Sequence, residues 1–418
     1  MEKQPRKKRE KKMRLEEIIP DATLRTEMLS RLYKGDPILG EKGIFTNLLQ
    51  SFVNAALEGE IDHFLESSKN TKTENRRNGH ISKSLRSTAG PLSIATPRDR
   101  LGDHEPILVK KRERELSTGL DEVILSLYAR GQSVEDVRHQ IEQIYGLEIS
   151  VGTISAVTDK VWGEIIDWQQ RVLAPCYPIV YLDAIHYKVR EEGKVLSKAV
   201  YTIYAVTVEG QREVLGLYLS EAEGSRQWGL ILEDLKRRGV EDILFFSVDG
   251  LKGFKQVIEQ VFPFSYIQRC IVHKIRNSTR LVCSKDIKLV CISLRKIYTS
   301  ANRDQAKLAL EAFDRSWGTK YKEIKPSWEK DWDELMAFMD YGDNIRRMIY
   351  TTNPVEAVHR VMRKVTKTKG AWSNDKGLIK QLYLTLKYNE KSWRQRAANW
   401  TAVERELVEC FGERYIKI

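Results

Sequence analysis

Apolar positions recur with a helical period over residues 46–65, where Leu48, Leu49, Phe52, Val53, Ala56, Leu57, Ile61, Phe64 and Leu65 fall on one stripe. Thr46 or Asn47 stands where it can cap that helix. The period lapses over a polar stretch, Ser67 to Ser87, with Asn78-Gly79 as a turn signal. Gly90 to Pro97 reads as a short strand, and Pro97, Gly102 and Pro106 break up the next segment. Helical spacing returns at Leu120–Ala129, ended by Gly131. Ser133 can cap a second helix, with Asp136 at N3 and a stripe of Val134, Val137, Ile141 and Ile144. Gly146 stops it, and Ser150 can cap a third helix carrying Val151, Ile154, Val157, Val161 and Ile165. Two short helices around a Gly-containing turn fit a helix-turn-helix, with Gly152, Thr153, Ser155, Thr158 and Lys160 facing a DNA groove. A plain helical hairpin fits the same spacing.

The period changes from helical to strand-like at Pro175. Tyr177–Asp183 is a β run that ends on a carboxylate, and Lys198–Val208 and Arg212–Leu219 are strands joined by a Glu209-Gly210 turn. Ser225–Arg238 reads as a helix capped by Ser225. Asp242–Val248 reads as a buried strand followed at once by Asp249-Gly250. A helix over Leu251–Val261 and a strand over Phe264–Ile267 complete a β-β-β-α-β-α-β order, a mixed α/β layout. Residues 274–345 show helical spacing, no strand run, and Trp317, Trp328 and Trp332. This predicts an all-helical insertion, whose tryptophans suit core packing more than base stacking. Helices over 354–364 and 377–390 return to the α/β unit.

Charge sharpens this picture. The chain of 418 residues has a net charge of +12. Residues 1–14 hold eight Lys/Arg against two Glu, and residues 360–380 hold seven basic residues against one acidic. Residues 177–250 hold nine basic against twelve acidic residues, so a mildly acidic centre lies between basic flanks. That distribution favours a polyanionic partner, with phosphate binding on the flanks and carboxylate chemistry in the centre. No apolar run is long enough for a membrane span, and no secretory signal is visible. Cys176, Cys270, Cys283, Cys291 and Cys410 are scattered and odd in number, which argues against a disulfide framework.

Asp183 and Asp249 each close a buried apolar strand, the end that faces the crevice in an open α/β sheet. Asp249-Gly250 alone would be an ordinary turn pair. Two carboxylates at adjacent strand ends repel unless a cation lies between them, which points to a metal site. A third ligand is offered by Thr351-Thr352-Asn353-Pro354-Val355-Glu356. There Asn353 can cap, Pro354 suits the first turn, and Glu356 falls at N3, where a capping box is the competing role.

Several strings resemble the mutator-type transposases of bacterial insertion sequences. They are Tyr181-Leu182-Asp183-Ala184, Ser247–Phe254 around Asp249, Cys270–Asn277, Ile349–Asn353 with Glu356, Arg363–Gly370 and Phe411-Gly412-Glu413-Arg414. The resemblance runs from about Phe45 to Arg414. It implies an RNase H-like core interrupted by a helical insertion and Asp-Asp-Glu transposition, with Asp183, Asp249 and Glu356 as the catalytic and metal-holding triad. Their spacings are 66 and 107 residues, the long gap matching the insertion. Where the family usually has Glu-Ser-Leu-Asn-Arg, this chain has Glu356-Ala357-Val358-His359-Arg360. Cys270 and His273 match the family's Cys-x-x-His signature. Zinc would need two further ligands, so a core or substrate-positioning role is expected.

The resemblance implies two Mg2+ (or Mn2+) ions per site, cleavage of the element's terminal inverted repeats, and joining of the 3′-hydroxyl to target DNA. It also implies a homodimer or higher oligomer on double-stranded DNA and a cytoplasmic, nucleoid-associated bacterial protein. Expected DNA contacts are Thr153, Ser155 and Lys160, together with Arg360, Arg363, Lys364, Lys367 and Lys369. The divisions expected are a basic, disordered arm (1–35), a helical and basic region (36–115), and the helix-turn-helix (116–170). Core residues 171–276 and 346–418 then flank the insertion, 277–345. Two other readings are an RNase H-like nuclease without strand transfer and a DNA-binding regulator derived from an inactive transposase.

Overall fold

The computed structural model describes residues 19, 21–40, 42–68, 75–87, 89–114, 116, 119–221, 224–250, 253–280 and 282–416. Their contacts divide the chain into two compact units, Met1–Tyr128 with Gln132–Thr158, and Ala129–Gly131 with Asp159–Ile418. Most of the expected basic arm lies outside the described residues. Inside its bounds Ala22–Tyr33 form helix α1, capped by Asp21, whose carboxylate accepts from the Thr23 and Leu24 N–H groups.

In the first unit α2 (Ile44–Ser68) packs on an antiparallel hairpin, β1 (Arg77–Leu85) with β2 (Leu92–Asp99). The expected turn at Asn78-Gly79 is instead a bulge inside β1, with Gly79 at φ +70°. The chain reverses before β2, where Gly90 takes φ +127° against the backbone of Gly40 and has no room for a Cβ. Thr46 caps nothing, since α2 begins at Ile44; its hydroxyl donates to the Ala89 carbonyl. Helices α3 (Leu120–Ala129), α4 (Val134–Tyr145) and α5 (Val151–Gln170) come next. Leu120, Ile124, Val137, Ile141, Ile154 and Val157 form one core. Ser133 and Asp136 make a capping box on α4, and Ser150 Oγ accepts the Thr153 N–H.

The second unit is a mixed α/β fold. Its five-stranded sheet has the order β5-β4-β3-β6-β7, from β3 (Cys176–Glu191), β4 (Lys194–Val206), β5 (Arg212–Ser220), β6 (Asp242–Val248) and β7 (Tyr266–Arg269). Strands β3, β4 and β5 pair antiparallel, whereas β6 and β7 add in parallel. Strand β3 runs eight residues past the expected Asp183, because β4 continues to pair with it as far as Glu191. From Ile179 onward, alternation along β3 sends Val180 and Leu182 to the face covered by α6 (Ser225–Arg237) and α7 (Phe254–Val261), where Tyr177 at the strand's start also packs. It sends Ile179, Tyr181 and Ile185 to the opposite core, and Asp183 shares that parity. Ser225 does not cap α6: Gly224 is the N-cap and makes no side-chain bond.

From β7 the chain enters α8 (Ile271–Thr279), then α9 (Ile287–Tyr298), α10 (Arg303–Trp317), α11 (Ile324–Lys330), α12 (Trp332–Met336), a 3-10 turn (Ala337–Asp340) and α13 (Asp343–Ile349). No strand occurs in this stretch among the described residues. Its docking on the sheet is polar as well as apolar. Fully buried Gln268 on β7 donates to the Leu335 carbonyl and accepts the Phe338 N–H. Lys274 on α8 grips Ser327 and Asp331. Helices α14 (Asn353–Thr366) and α15 (Asp375–Tyr388) then lie back on the sheet side of this core.

Trp328 is fully buried, with its indole N–H donated to Ser278 Oγ at 2.9 Å. Trp332 is half-buried, with Lys307 Nζ 4.9 Å from its ring centre. Trp328→Ala should therefore cost about 3–5 kcal/mol of stability. Trp332→Ala should cost within about 1 kcal/mol. Denaturant midpoints of the two variants compare these directly, and equal losses would refute the assignment of Trp328 to the core.

Candidate active site

The last parallel pair between β3 and β6 is Leu182 with Val248, so Asp183 and Asp249 stand next in line on neighbouring strands. Leu182 and Val248 both face the α6/α7 core, which turns the following residues to the other face. Asp183 Oδ1 accepts its neighbour's N–H, from Ala184, at 2.9 Å, and Asp249 Oδ1 accepts that of Gly250 at 2.6 Å. Each carboxylate is thereby oriented by local backbone.

The chain returns from the insertion through residues 348–352, the end of α13 and an irregular stretch, whose polar groups are met by the sheet and the start of α8. Tyr181 OH donates to the Met348 carbonyl at 2.7 Å, and buried Ser247 Oγ donates to that of Ile349 at 3.0 Å. The Ile271 N–H donates to the Tyr350 carbonyl at 3.1 Å. Cys270 Sγ accepts both the N–H and the hydroxyl of Thr352, each at 3.3 Å. Thr352, not Asn353, is the N-cap residue of α14, and it caps with no side-chain bond. Glu356 therefore lies one position beyond N3, and the capping-box role falls away.

The Glu356 carboxylate is instead taken by Arg276 in a bidentate grip at 2.6 and 3.1 Å, and by His273 Nε2 at 3.2 Å. His273 Nδ1 lies 3.3 Å from Thr352 Oγ1 and 3.6 Å from Asp249 Oδ1. One imidazole thus touches both Asp249 and Glu356. Burial disfavours its charge, but the Cys270 bond and the charges of Asp249 and Asp183 outweigh that and push its pKa up to about 9. Burial likewise resists ionisation of Cys270, yet the bonds from His273 and Thr352 hold its thiol below the ordinary range. Arg276 falls within the Cys270–Asn277 string, where the sequence alone assigns it no role. The signal for it is spacing, one turn after His273 on the same helix face.

His359, the departure from the family pattern, is buried and joins three elements. Its Nδ1 lies 3.2 Å from Asp183 Oδ2, and its Nε2 lies 2.9 Å from Thr202 Oγ1 on β4. Among the described residues no three His, Cys, Asp or Glu side chains stand in a ready metal-holding arrangement. In this arrangement Arg276 and His273 occupy the Glu356 oxygens. The donor set itself, carboxylate oxygens from three elements, suits a hard divalent cation.

The remaining sequence-predicted residues are dispersed. Arg360, Arg363 and Lys364 on α14 and Lys367 at its C-cap are exposed, whereas Lys369 is half-buried and donates to Gln381 Oε1 at 2.9 Å. On α5, Thr153 and Ser155 are half-buried and Lys160 is exposed. Thr158 does not face a groove: it is 1% exposed and donates to the Ser155 carbonyl.

Comparison with known proteins places the chain among the transposases. The family model described as Transposase, Mutator family, matches residues 23–396, and the chain belongs to that family. It is 38% identical over 394 residues to a probable transposase for insertion sequence element ISRM3-like of Sinorhizobium fredii (strain NBRC 101917 / NGR234), covering 93% of this chain and 98% of that protein. It is 37% identical to the transposase for insertion sequence element ISRM3 of Rhizobium meliloti (strain 1021), with the same coverage. The solved Drosophila P element transposase strand transfer complex matches 70% of this chain and 85% of its own at 11% identity and a TM-score of 0.30, too slight a likeness to bear on the fold. The chain's function is transposition of an insertion sequence. No helix among the described residues is long and apolar enough to cross a membrane.

Cys270→Ala leaves the two Thr352 donors buried without an acceptor, at a cost of about 1–3 kcal/mol. Its melting temperature should fall, and that of Cys270→Ser, which keeps an acceptor, should fall less. Identical melting temperatures for the two variants would show that the thiol does not hold this segment.

Proposed function

We propose that the second unit is an RNase H-like core carrying out Asp-Asp-Glu phosphoryl transfer on DNA, with Asp183, Asp249 and Glu356 as its catalytic residues. The carrying observation is the register of Asp183 beside Asp249, with Glu356 reaching the same imidazole as Asp249. The strand order, antiparallel on one side of β3 and parallel on the other, and the helical insertion between β7 and α14 support this reading. So does family membership over most of the chain.

The three carboxylates would hold divalent metal, two Mg2+ or Mn2+ ions. When bound, that metal supplies an activated nucleophile and neutralises charge on the reacting phosphate. This chain's own residues do the rest. Ala184 and Gly250 N–H groups orient the two aspartates. His359 ties Asp183 to the helix that bears Glu356, so the two carboxylates move as one. Arg276 and His273 balance the clustered negative charge. Arg360, Arg363, Lys364 and Lys367 lie along the exposed side of α14 and grip phosphates beyond the reacting one. Thr153, Ser155 and Lys160 on α5 read the element's terminal inverted repeats in a helix-turn-helix, and the protein acts on these ends and on target DNA as a dimer or higher oligomer.

Labelled element ends incubated with Mg2+ and target DNA test this: cleaved ends joined to target are expected. Cleavage without joining would favour the nuclease reading. Asp183→Ala, Asp249→Ala and Glu356→Ala should each abolish cleavage and leave end binding intact. Wild-type cleavage by the Glu356 variant would remove it from the triad.

The basic side of α14 makes a separate prediction. Lys364→Ala with Lys367→Ala should weaken binding to all DNA sequences about equally. It should also flatten the slope of log affinity against log salt by about 0.9 per lost phosphate contact. An unchanged slope would turn this side of the helix away from DNA.

A further inference from the structure

A cavity of about 640 Å3 opens directly beside Asp183, between the extension of β3 and the end of α14. Ala184, the next residue after Asp183, lines it, as do Tyr187, Lys188, Arg363, Lys369 and Trp372. The carboxylate site uses only the first of these positions, through its N–H.

Its inner wall is aromatic. Tyr187 and Trp372 are buried and pack edge to face at 5.2 Å. Trp372 is anchored by its backbone, which exchanges hydrogen bonds with β3: its N–H donates to the Lys188 carbonyl and its carbonyl accepts from Arg190. Its placement is therefore rigid. Of its two buried polar atoms, Trp372 Nε1 lacks a hydrogen-bond partner. The Thr366 hydroxyl donates to the Met362 carbonyl, and its oxygen can still accept from the Tyr187 phenol beside it. An unsatisfied buried donor on a cavity wall is costly, and natural interiors rarely keep one without a use. An indole N–H needs an acceptor and a phenol takes either role.

The rim is cationic. Lys188 and Arg363 are exposed there, and Lys369 Nζ lies 5.7 Å from the Trp372 ring centre. An aromatic floor with an acceptor-seeking indole under a cationic rim matches a nucleotide, with a flat base below and a phosphate above. A duplex backbone alone would meet the rim and leave the floor unsatisfied. Distance also fits. Tyr187 is four residues beyond Asp183, about 13 Å along the strand. Arg363 is seven residues beyond Glu356, about 10 Å along the helix. Successive phosphates stand farther apart than the duplex rise, so both put the cavity's inner wall about two nucleotides from a phosphate held at the carboxylates.

We propose that this cavity receives one unpaired nucleotide of the DNA strand being processed. Its base lies against Tyr187 and Trp372 and offers the indole N–H an acceptor, and its phosphate sits between Lys188 and Arg363. The inference rests on the proposed function, in which Asp183, Asp249 and Glu356 hold the reacting phosphate.

The test walks a single mismatch through positions one to six of an element-end duplex and measures affinity for the full-length protein. A mismatched base is already unpaired, so at one position, the second or third, it should tighten wild-type binding by about tenfold. Mismatches elsewhere should not. Trp372→Phe and Tyr187→Phe keep their rings and lose only the polar atoms. Each should shrink that gain. Equal effects at all positions, or an undiminished gain in both variants, would overturn the inference while cleavage and its dependence on the triad stood. Failure of the wild-type protein to bind element ends would overturn the proposed function, and this inference with it.

Discussion

The site depends on how the end of α13 and the three residues after it are held. Segment 348–352 brings the chain back from an insertion of several helices, and most of it is buried. Buried polar groups that find no partner cost more than partnered ones contribute. The sheet supplies those partners from its own interior face: Tyr181 from β3, Ser247 from β6, and Cys270 and Ile271 at the start of α8. These bonds make the first turn of α14 a continuation of the sheet's geometry, and Glu356 inherits that placement. The same strands carry Asp183 and Asp249, so one rigid frame positions all three carboxylates.

That frame must also bear their repulsion. Three carboxylates on one face favour separation or protonation unless positive charge lies among them. Two cationic groups on α8, His273 and Arg276, meet Glu356, and the former reaches Asp249. His359 meets Asp183 from the other side. The insertion is tied to α8 through Lys274, Ser327 and Asp331. A change in how the insertion docks is therefore transmitted to the helix that balances the carboxylates.

Much of this was legible in the sequence because period and punctuation agree. Asp242–Val248 and Leu120–Ala129 form with the expected limits, since each is an apolar run bounded by residues that stop it. The errors share a physical origin. Asn78-Gly79 has turn chemistry, but α2 packs on the hairpin there, and Glu58 and Asp62 bind Arg77 beside it. Tertiary contact absorbed the turn signal as a bulge. The length of β3 was hidden because past Asp183 the residues His186, Lys188 and Arg190 alternate with apolar ones, and only pairing with β4 makes them strand. Thr158 has a side chain suited to a groove, yet the helix turns it inward. The roles of Arg276, Thr202 and Thr352 depend on contacts between distant segments, which no local pattern records.

Helix α14 shows why a single sequence stretch can serve structure and chemistry together. Val355, Val358, His359, Met362 and Thr366 recur at steps of three and four, and all are buried. Arg360, Arg363, Lys364 and Lys367 recur at the same steps, displaced to the exposed side. Glu356 lies at the boundary between the stripes, and Arg360, Arg363 and Lys367 continue its row toward the C-terminus. The carboxylate at the helix start is in reach of the sheet, and the cations farther along are in reach of solvent. Moving Glu356 by one residue would bury it among the apolar stripe or expose it away from both aspartates. The position is set jointly by the apolar period that seats the helix and by the pinned segment that starts it, and the row of cations follows at no added structural cost.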